Sequence, residues 1–312
     1  MITTKYEDIF IALLEDVNYQ TSTVQFPQEL ANKITRITRG KMVNSRFSGK
    51  VDFPNLSVCY SSTESTGQEY GFFQGTKFSY VSIPKLSTLG QCIFYRCTNL
   101  TGTYLPEARS YVGRQHFDGC NNLISTAIDI TRFRRLPGSF YGSCNKLTGI
   151  LSSDNLVQIG KLCFNNCKAI TLVDFLNLSG SGVDASGQSS QEFYNMTALS
   201  VINIPNYKNV IGVGSSYVNQ YFLGTCNNLL SANFANAVQF GRVIQQATKL
   251  KLIDFRDRVL DTIPTVLTNS FETLSTRTYK IAVPDRLYDD WLSTGNWTVY
   301  ADRIVKASEY SG

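Results

Sequence analysis

A phrase built from an aromatic residue, a cysteine and an aliphatic residue returns about every 23 residues, and it constrains the fold of this chain most strongly. Its four clearest copies are Phe94-x2-Cys97-x2-Leu100, Phe117-x2-Cys120-x2-Leu123, Tyr141-x2-Cys144-x2-Leu147 and Phe164-x2-Cys167-x2-Ile170. Self-similarity at a period of this length is typical of a solenoid, in which each repeat is one coil stacked on the next. We therefore predict that these residues form a buried structural ladder.

A short stretch of alternating residues follows each copy of the phrase and predicts one β-strand in each coil. The stretches begin with the pairs Thr103 and Leu105, Thr126 and Ile128, Ile150 and Ser152, and Val173 and Phe175. With some drift the frame extends upstream through Phe72-x2-Gly75-x2-Phe78 and downstream to Ile281 and Val283, which gives ten candidate strands between residues 51 and 283. A glycine suited to a corner with positive φ precedes several phrases, at Gly90, Gly113, Gly160 and Gly241.

This pattern resembles the BspA-type leucine-rich repeat, whose phrase reads approximately L-x-x-I-x-L-P-x-x-(hydrophobic)-x-x-I-G-x-x-A-F-x-x-C-x-x-L. The best match runs from Val81-Ser82-Ile83-Pro84 through Leu89-Gly90, Phe94, Cys97 and Leu100 to Leu105-Pro106. The resemblance covers about residues 45–312, and the chain departs from it at Met196 and Ala247, which replace the cysteine, and at two lengthened repeats. It implies a mostly β leucine-rich-repeat solenoid that serves as a scaffold for adhesion and protein contacts.

Three regions are predicted along the chain. A helical N-terminal module for attachment or capping occupies residues 1–44, the repeat solenoid occupies 45–284, and a C-terminal cap occupies 285–312. Apolar residues at helical spacing between positions 6 and 14, and a second helical pattern at 27–34 that opens with a proline, indicate the helices of the first region.

The C-terminal region looks like the end of many such repeat proteins from gut bacteria and their phages. The last coil of a solenoid exposes its apolar interior unless a terminal element covers it. Trp291, Leu292 and Trp297 suit that role, although a pair of tryptophans also suits stacking on a sugar ring. We expect capping to be their role.

The eight cysteines fit packing better than chemistry. Cys97, Cys120, Cys144 and Cys167 share one repeat position and are predicted to form a buried column of small, weakly hydrogen-bonding side chains. A disulfide framework is typical of short secreted chains, and the C-x2-C pairs of a zinc site are missing. We therefore expect a reducing environment and no bound metal.

Little in the sequence suits catalysis. The single histidine, His116, precedes the repeat aromatic Phe117, where a partly buried core residue is expected. No nucleophile elbow, Walker A phrase or H-E-x-x-H motif occurs. Asp174 and Asp254 are expected on solvated strand faces, and nothing in the sequence brings two carboxylates together as a glycosidase requires. A non-enzymatic protein without a cofactor is therefore predicted.

The charge pattern argues against nucleic-acid and membrane partners. The net charge of +5 is mild and spread out, and the cluster of Arg132, Arg134 and Arg135 is expected to be a solvated face. No apolar run approaches the length that spans a bilayer. The segment that begins at Met1 shows no basic head, apolar run and cleavage site, so a secretory signal is not expected.

Two lengthened repeats, at residues 177–191 and 207–221, are the predicted recognition loops. Insertions in solenoids project from one face and often make contacts, although the Gly- and Ser-rich composition of the first equally suits a passive flexible loop. Aromatic side chains would supply the anchors. The candidate binding residues are Ser179, Ser181, Asp184, Gln188, Tyr207, Tyr217 and Tyr221.

The favoured functional hypothesis is a phage virion component of the tail, fibre or head decoration, made in the host cytoplasm. It would display the repeats to other virion proteins or to a host surface protein or glycan. Residues 1–40, which are loosely similar to the helical leaders of phage tail and fibre proteins, would join it to an oligomer or assembly. The alternative is a bacterial cell-surface or secreted BspA-like adhesin, followed by an intracellular interaction scaffold and, last, a carbohydrate-active enzyme.

Overall fold

The computed structural model divides the chain into two compact units. The first unit comprises Met1–Phe133 and Ser139–Leu147, and the second comprises Arg134–Gly138 and Thr148–Gly312. The structure describes residues 23–38, 42–60, 71–126, 128–182, 191–210, 221–267, 270–271 and 279–311.

The strands of the first unit pair in parallel. They are β1 (Val24–Gln25), β2 (Arg36–Thr38), β3 (Phe47–Asp52), β4 (Val58–Tyr60), β5 (Lys77–Ser82), β6 (Thr88–Leu89), β7 (Gly102–Tyr104) and β8 (Ser110–Tyr111), with a short helix, α1, at Gln28–Ala31. The main sheet has the order β1-β3-β5-β7, and the pairs β2-β4 and β6-β8 form two smaller sheets. Four coils of this unit thus each supply one strand to the main sheet and one to a smaller sheet.

The second unit repeats this arrangement with parallel strands. Its strands are β9 (Arg135–Leu136), β10 (Thr148–Ser152), β11 (Gln158–Gly160), β12 (Ala169–Asp174), β13 (Gly180–Gly182), β14 (Val201–Asn203), β15 (Asn209–Val210), β16 (Leu223–Gly224), β17 (Ser231–Asn233), β18 (Gln239–Phe240), β19 (Ile244–Gln245), β20 (Leu252–Asp254), β21 (Thr265–Val266), β22 (Lys280–Val283) and β23 (Ile304–Lys306). The main sheet has the order β10-β12-β14-β17-β20-β22-β23, and the smaller sheets are β13-β11-β9, β15-β18-β21 and β16-β19. The helical segments are α2 (Tyr288–Ser293) and 3₁₀ turns at Asp285–Leu287, Gly295–Arg303 and Ala307–Glu309.

These parallel ladders confirm the predicted leucine-rich-repeat solenoid. Alternate residues of the main strands face the core, as the period of two requires. The prediction of which residues face the core was wrong in β10, where Ile150 is 63% exposed and Leu151 is buried. The pairing register shifts beside Gly149, whose φ is +94°, and this shift turns Leu151 inward.

The strand predicted at Thr126 and Ile128 is not formed by the residues described there. Asp129 instead caps a 3₁₀ turn at Ile130–Arg132, and its carboxylate accepts a hydrogen bond from the Thr131 backbone nitrogen at 3.1 Å. The same carboxylate accepts a bond from Arg132 Nε at 3.0 Å. Local side-chain bonds of this kind compete with strand pairing, which explains the error.

One aromatic ring from each coil of the first unit stacks on the ring of the next coil. Phe73 and Phe94 stack with centroids 5.2 Å apart, and Phe117 stacks between Phe94 and Tyr141 at 5.3 Å from each. The frame predicted upstream was therefore displaced by one residue, because Phe73 and not Phe72 continues the stack. All four rings are completely buried, and aromatic side chains of this size remove a large apolar area from water, so the stack stabilises this unit.

The repeated cysteines satisfy backbone carbonyls between coils. Three thiols donate to the carbonyl oxygen of the stacked aromatic residue in the preceding coil: Cys97 to Phe73 at 2.8 Å, Cys120 to Phe94 at 3.0 Å and Cys144 to Phe117 at 3.1 Å. Cysteine suits the position because it is small and apolar yet carries a weak donor. All eight cysteines, and the ladder residues Leu100, Leu123 and Leu147, are buried.

Left-handed backbone recurs just before the cysteine position. The non-glycine residues there have φ from 57° to 61°, at Arg96, Ser143, Asn166, Asn195, Thr225 and Gln246. Of the four glycines predicted at corners, only Gly113 has a positive φ, of 75°. Gly160 is needed for a different reason, since a Cβ atom there would lie 2.3 Å from the backbone nitrogen of Gly138.

Replacing Leu162 by asparagine is expected to stabilise the second unit. Leu162 has a φ of 59°, and asparagine adopts this conformation at lower cost than leucine. We expect the free energy of unfolding to rise by about 0.5–1 kcal/mol, measured by urea denaturation. Leu162→Ala is the control, because it removes the same packing without relieving the backbone. A Leu162→Asn protein no more stable than Leu162→Ala would contradict the prediction.

The described part of the N-terminal segment belongs to the first unit. Strand β1 pairs with the start of β3, and the Gln28 side-chain amide bonds the backbone of Asp52 through both its nitrogen and its oxygen, at 2.6 and 3.3 Å. Phe26 is 2% exposed within a cluster of aromatic rings. Helix α1 covers four residues of the helical pattern at 27–34, whereas the pattern at 6–14 lies outside the described residues. A separate module at 1–44 stays a prediction.

Both tryptophans lie in the core of the second unit. Trp291 and Trp297 are at most 1% exposed, their ring centroids lie 5.3 Å apart, and both rings contact Phe255. The Trp297 Nε1 donates to the carbonyl oxygen of Pro264 at 2.7 Å. Because both indoles are covered, neither is available to stack on a sugar ring.

Candidate functional site

The outward face of the main sheet in the second unit carries two adjacent columns of side chains. The strand register places Leu172, Val201, Ser231 and Leu252 in a mostly apolar column. The register two residues further along places Asp174, Asn203, Asn233 and Asp254 in a polar column. The two columns and Arg256 line an open groove of about 290 Å³, which we call the sheet-face groove.

One end of the polar column, at Asn233 and Asp254, has its acceptor oxygens hydrogen-bonded by groups of the protein. Asn233 Oδ1 accepts from the Ala235 backbone nitrogen at 2.9 Å, and Asp254 Oδ1 accepts from the Arg256 backbone nitrogen at 3.0 Å. The Arg256 guanidinium also bonds both carboxylate oxygens of Asp254, at 2.9 and 2.7 Å, and lies 5.5 Å from the ring centroid of Tyr310. The charge of Asp254 is therefore neutralised within the protein.

The other end of the polar column, at Asp174 and Asn203, has an acceptor oxygen without a hydrogen-bond donor among the described residues. Asn203 cannot accept from a backbone nitrogen two residues ahead, because Pro205 has no N–H. Its Nδ2 donates to Asp174 Oδ1 at 2.7 Å, and its Oδ1 is buried with no hydrogen-bond partner among the described residues. No ion pair links Asp174 to a cation in that part of the chain. This end thus has more acceptors than donors.

A second, smaller groove lies in the first unit. It has a volume of about 250 Å³ and is lined by hydroxyl and apolar side chains that include Ser57, Val58, Thr88 and Val112. Its one thiol, Cys59, is buried, and burial raises the pKa of that thiol to about 12. Cys59 is therefore protonated at neutral pH and unsuited to act as a nucleophile.

His116 is a core residue of the first unit. Its side chain is fully buried, Nδ1 lies 2.9 Å from the Gly90 carbonyl oxygen, and its ring contacts Phe140 at 5.1 Å. Burial lowers the pKa of His116 to about 4, although hydrogen bonds with the Gly90 and Gly113 backbone oppose the shift. A neutral imidazole without access to solvent is not placed to act as a general base.

The predicted recognition loops contribute no assembled site to the described structure. Tyr207 and Tyr221 are completely buried, and the ring of Tyr207 lies 5.3 Å from that of Phe222. Their predicted role as exposed anchors was therefore wrong, because both rings fill the core. Ser179 is exposed and bonds the Val157 carbonyl oxygen at 3.0 Å.

The remaining loop residues lie wholly or partly outside the described structure. Ser181 contributes its backbone to β13, but its side chain is not described, and Asp184, Gln188 and Tyr217 lie outside the described residues. Within the described ranges, no group of three metal-binding side chains comes together, and the helices there are too short or too polar to span a bilayer. The sheet-face groove is therefore the strongest candidate for a functional site.

The sheet-face groove joins residues that sequence reasoning left separate. Asp174 and Asp254 were expected as isolated strand-face carboxylates, and both line this groove. Val201 and Asn203 were not singled out. The sequence signal that could have found Asn203 is the proline two residues after it, which removes the usual turn donor.

Comparison with solved structures finds several bacterial leucine-rich-repeat proteins. A leucine-rich-repeat protein of T. pallidum shares 20% identity over 62% of this chain and 87% of its own, with a TM-score of 0.46. One from Bacteroides ovatus shares 14% identity over 93% of this chain and 85% of its own, with a TM-score of 0.44. A leucine-rich cell surface protein from Faecalibacterium prausnitzii shares 14% identity over 84% and 88%, with a TM-score of 0.31. We draw no functional conclusion from likenesses this distant.

Sequence comparison gives a more specific result. No curated protein matches the chain significantly. The family model described as "BspA type Leucine rich repeat region (6 copies)" matches residues 68–182, which contain all four clear copies of the aromatic–cysteine–aliphatic phrase. The chain therefore contains a BspA-type leucine-rich-repeat region, at residues 68–182.

Proposed function

We propose that this chain is a non-enzymatic binding protein that holds a protein partner in the sheet-face groove of its second unit. Repeats of this kind build extended surfaces for protein interaction. The observation that carries the proposal is the unequal bonding of the polar column. Arg256 neutralises Asp254, whereas Asp174 is bonded only by the neutral amide of Asn203 among the described side chains, and Asn203 Oδ1 has no donor there. The apolar column beside it supplies surface that a partner can bury.

We place the partner outside the bacterium, as for a surface adhesin. A BspA-type repeat region is consistent with a bacterial surface protein, and it gives no support to the virion role predicted from the sequence. Attachment of residues 1–40 to a larger assembly also has no supporting observation among the described residues. The surface adhesin is therefore the hypothesis to test first.

Replacing Val201 by arginine is expected to weaken partner binding without unfolding the chain. Val201 is half-buried in the groove, and an arginine there would place a charge and a long side chain across both columns. Labelled protein is incubated with cultured epithelial cells and measured by flow cytometry, before and after trypsin treatment of the cells. We expect trypsin to remove most of the signal, and the substitution to weaken binding on the order of tenfold or more.

Val259→Arg is the matched control. Val259 is 72% exposed and lies outside the main sheet, so the same chemical change should leave binding at the wild-type level. Thermal melting of both variants shows whether the fold is intact. Undiminished binding by a folded Val201→Arg protein, or a signal that survives trypsin, would overturn the proposed function.

A further inference from the structure

We propose that the Asp174 end of the sheet-face groove recognises an arginine side chain of the bound polypeptide. The inference deepens the proposed function and relies on it for the kind of partner.

The first step is the charge that the groove leaves unpaired. Among the described residues, Asp174 accepts a single side-chain hydrogen bond, from the neutral amide of Asn203, whereas Asp254 three strands away is held by a guanidinium on both carboxylate oxygens. The pairing of Asp254 with Arg256 shows how a carboxylate of this column binds a guanidinium. Asp174 offers the same carboxylate acceptor without a bound cation. A partner that supplies a cation would therefore give Asp174 the pairing that Asp254 already has.

The second step is the donor geometry. The orphaned Oδ1 of Asn203 belongs to the residue that pairs with Asp174 in the strand register. If a partner replaces the Asn203 donor at Asp174, the amide is released to turn its oxygen outward. Two acceptors on adjacent strands then face one ligand. A guanidinium, with five donors in a fixed plane, can bond both, whereas an ammonium is a compact and strongly hydrated point charge.

The third step is the apolar surface beside these acceptors. Leu172 and Val201 precede Asp174 and Asn203 by two residues on the same face of the sheet, and both are half-buried. They form a strip on which the methylene groups of an arginine stem can lie while its head reaches the carboxylate. Arg256 lies at the opposite end of the groove, and the exposed Lys280 pairs with Leu252 on the next strand beyond it, so both cations would repel a second cation there. The groove therefore has a defined polarity.

The test is titration of the full chain with the tripeptide acetyl-Val-Arg-Val-amide, followed by nuclear magnetic resonance of isotope-labelled protein. The side-chain amide of Asn203 is the reporter, because its Nδ2 bonds Asp174 in the free protein. We expect saturable shifts of this signal. A peptide with citrulline in place of arginine keeps the shape of arginine but not its charge, and we expect it to bind on the order of tenfold more weakly than the arginine peptide. The lysine peptide should bind with intermediate affinity.

Asp174→Asn and Asp289→Asn are matched carboxylate-to-amide changes. The first removes the proposed acceptor and is expected to abolish the shifts, while the second changes an exposed carboxylate of helix α2 that does not line the groove and should retain them. Equal shifts with citrulline, an undiminished response in folded Asp174→Asn, or an equal response to spermidine would overturn the inference. If the arginine peptide causes no shifts but Val201→Arg still loses cell binding, only this inference is overturned. If the shifts are specific for arginine but Val201→Arg binds cells as well as the wild type does, only the proposed function is overturned.

Discussion

Replacing Cys120 by arginine is expected to abolish cooperative folding of the first unit. The Cys120 side chain is fully buried, and its thiol donates to the Phe94 carbonyl oxygen at 3.0 Å beneath the aromatic stack. An arginine there would force a charge and a longer side chain into a fully buried, packed space. We expect a loss of more than about 4 kcal/mol, which is a large part of the stability of a typical domain. Urea denaturation followed by circular dichroism is the measurement.

Cys120→Ala is the control for this prediction. Alanine occupies the equivalent position at Ala247, so the smaller side chain is compatible with a coil of this fold. The loss should be about 1–2 kcal/mol, for one weak hydrogen bond and a small cavity. Burial also raises the pKa of the Cys97 thiol to about 11, so native protein should react slowly with a thiol reagent. Rapid labelling of the column cysteines without denaturant would contradict the buried column.

Much of the fold could be predicted because the repeat places the same residue types at the same point of each coil. The strands at Val81 and Val173 follow directly from alternation within that frame. The errors occur where one residue changes the local geometry. The carboxylate of Asp129 closes a turn where a strand was expected, and the backbone at Gly149 shifts the register by one residue. Such local competition is not visible in the hydrophobic period.

The candidate site could be predicted only in part. Alternation alone puts Asp174 and Asp254 on the outward face, but only the parallel register shows that one groove contains both. The difference between them depends on Arg256, which reaches back to Asp254 from two residues ahead. The prediction that tyrosines of the lengthened repeats are exposed binding anchors was also wrong. Tyr207 and Tyr221 sit in lengthened repeats yet fill the core, because a large aromatic side chain contributes more when buried than when exposed.

Acid is expected to destabilise the first unit through His116. The pKa of this histidine is about 4 in the folded chain, because burial disfavours the charged imidazole, against a usual value of 6.5 in an unfolded chain. The unfolded state therefore binds more protons between these two pH values. The contribution of His116 is fully present above pH 6.5 and is lost as the pH falls towards 4, by about 3 kcal/mol in total. Urea denaturation at a series of pH values measures this loss.

His116→Phe and His116→Gln separate titration from packing. The equivalent position in the next coil is Phe140, so a phenylalanine suits the space, whereas glutamine keeps a donor without a titrating ring. Both variants should lack the steep dependence between pH 6.5 and 4, whatever their stability at neutral pH. Burial raises the pKa of the nearby Asp118 carboxyl, which acts in the opposite direction, so slopes are compared between wild type and variants. An equal slope in all three proteins would show that His116 is not the group responsible for the acid sensitivity.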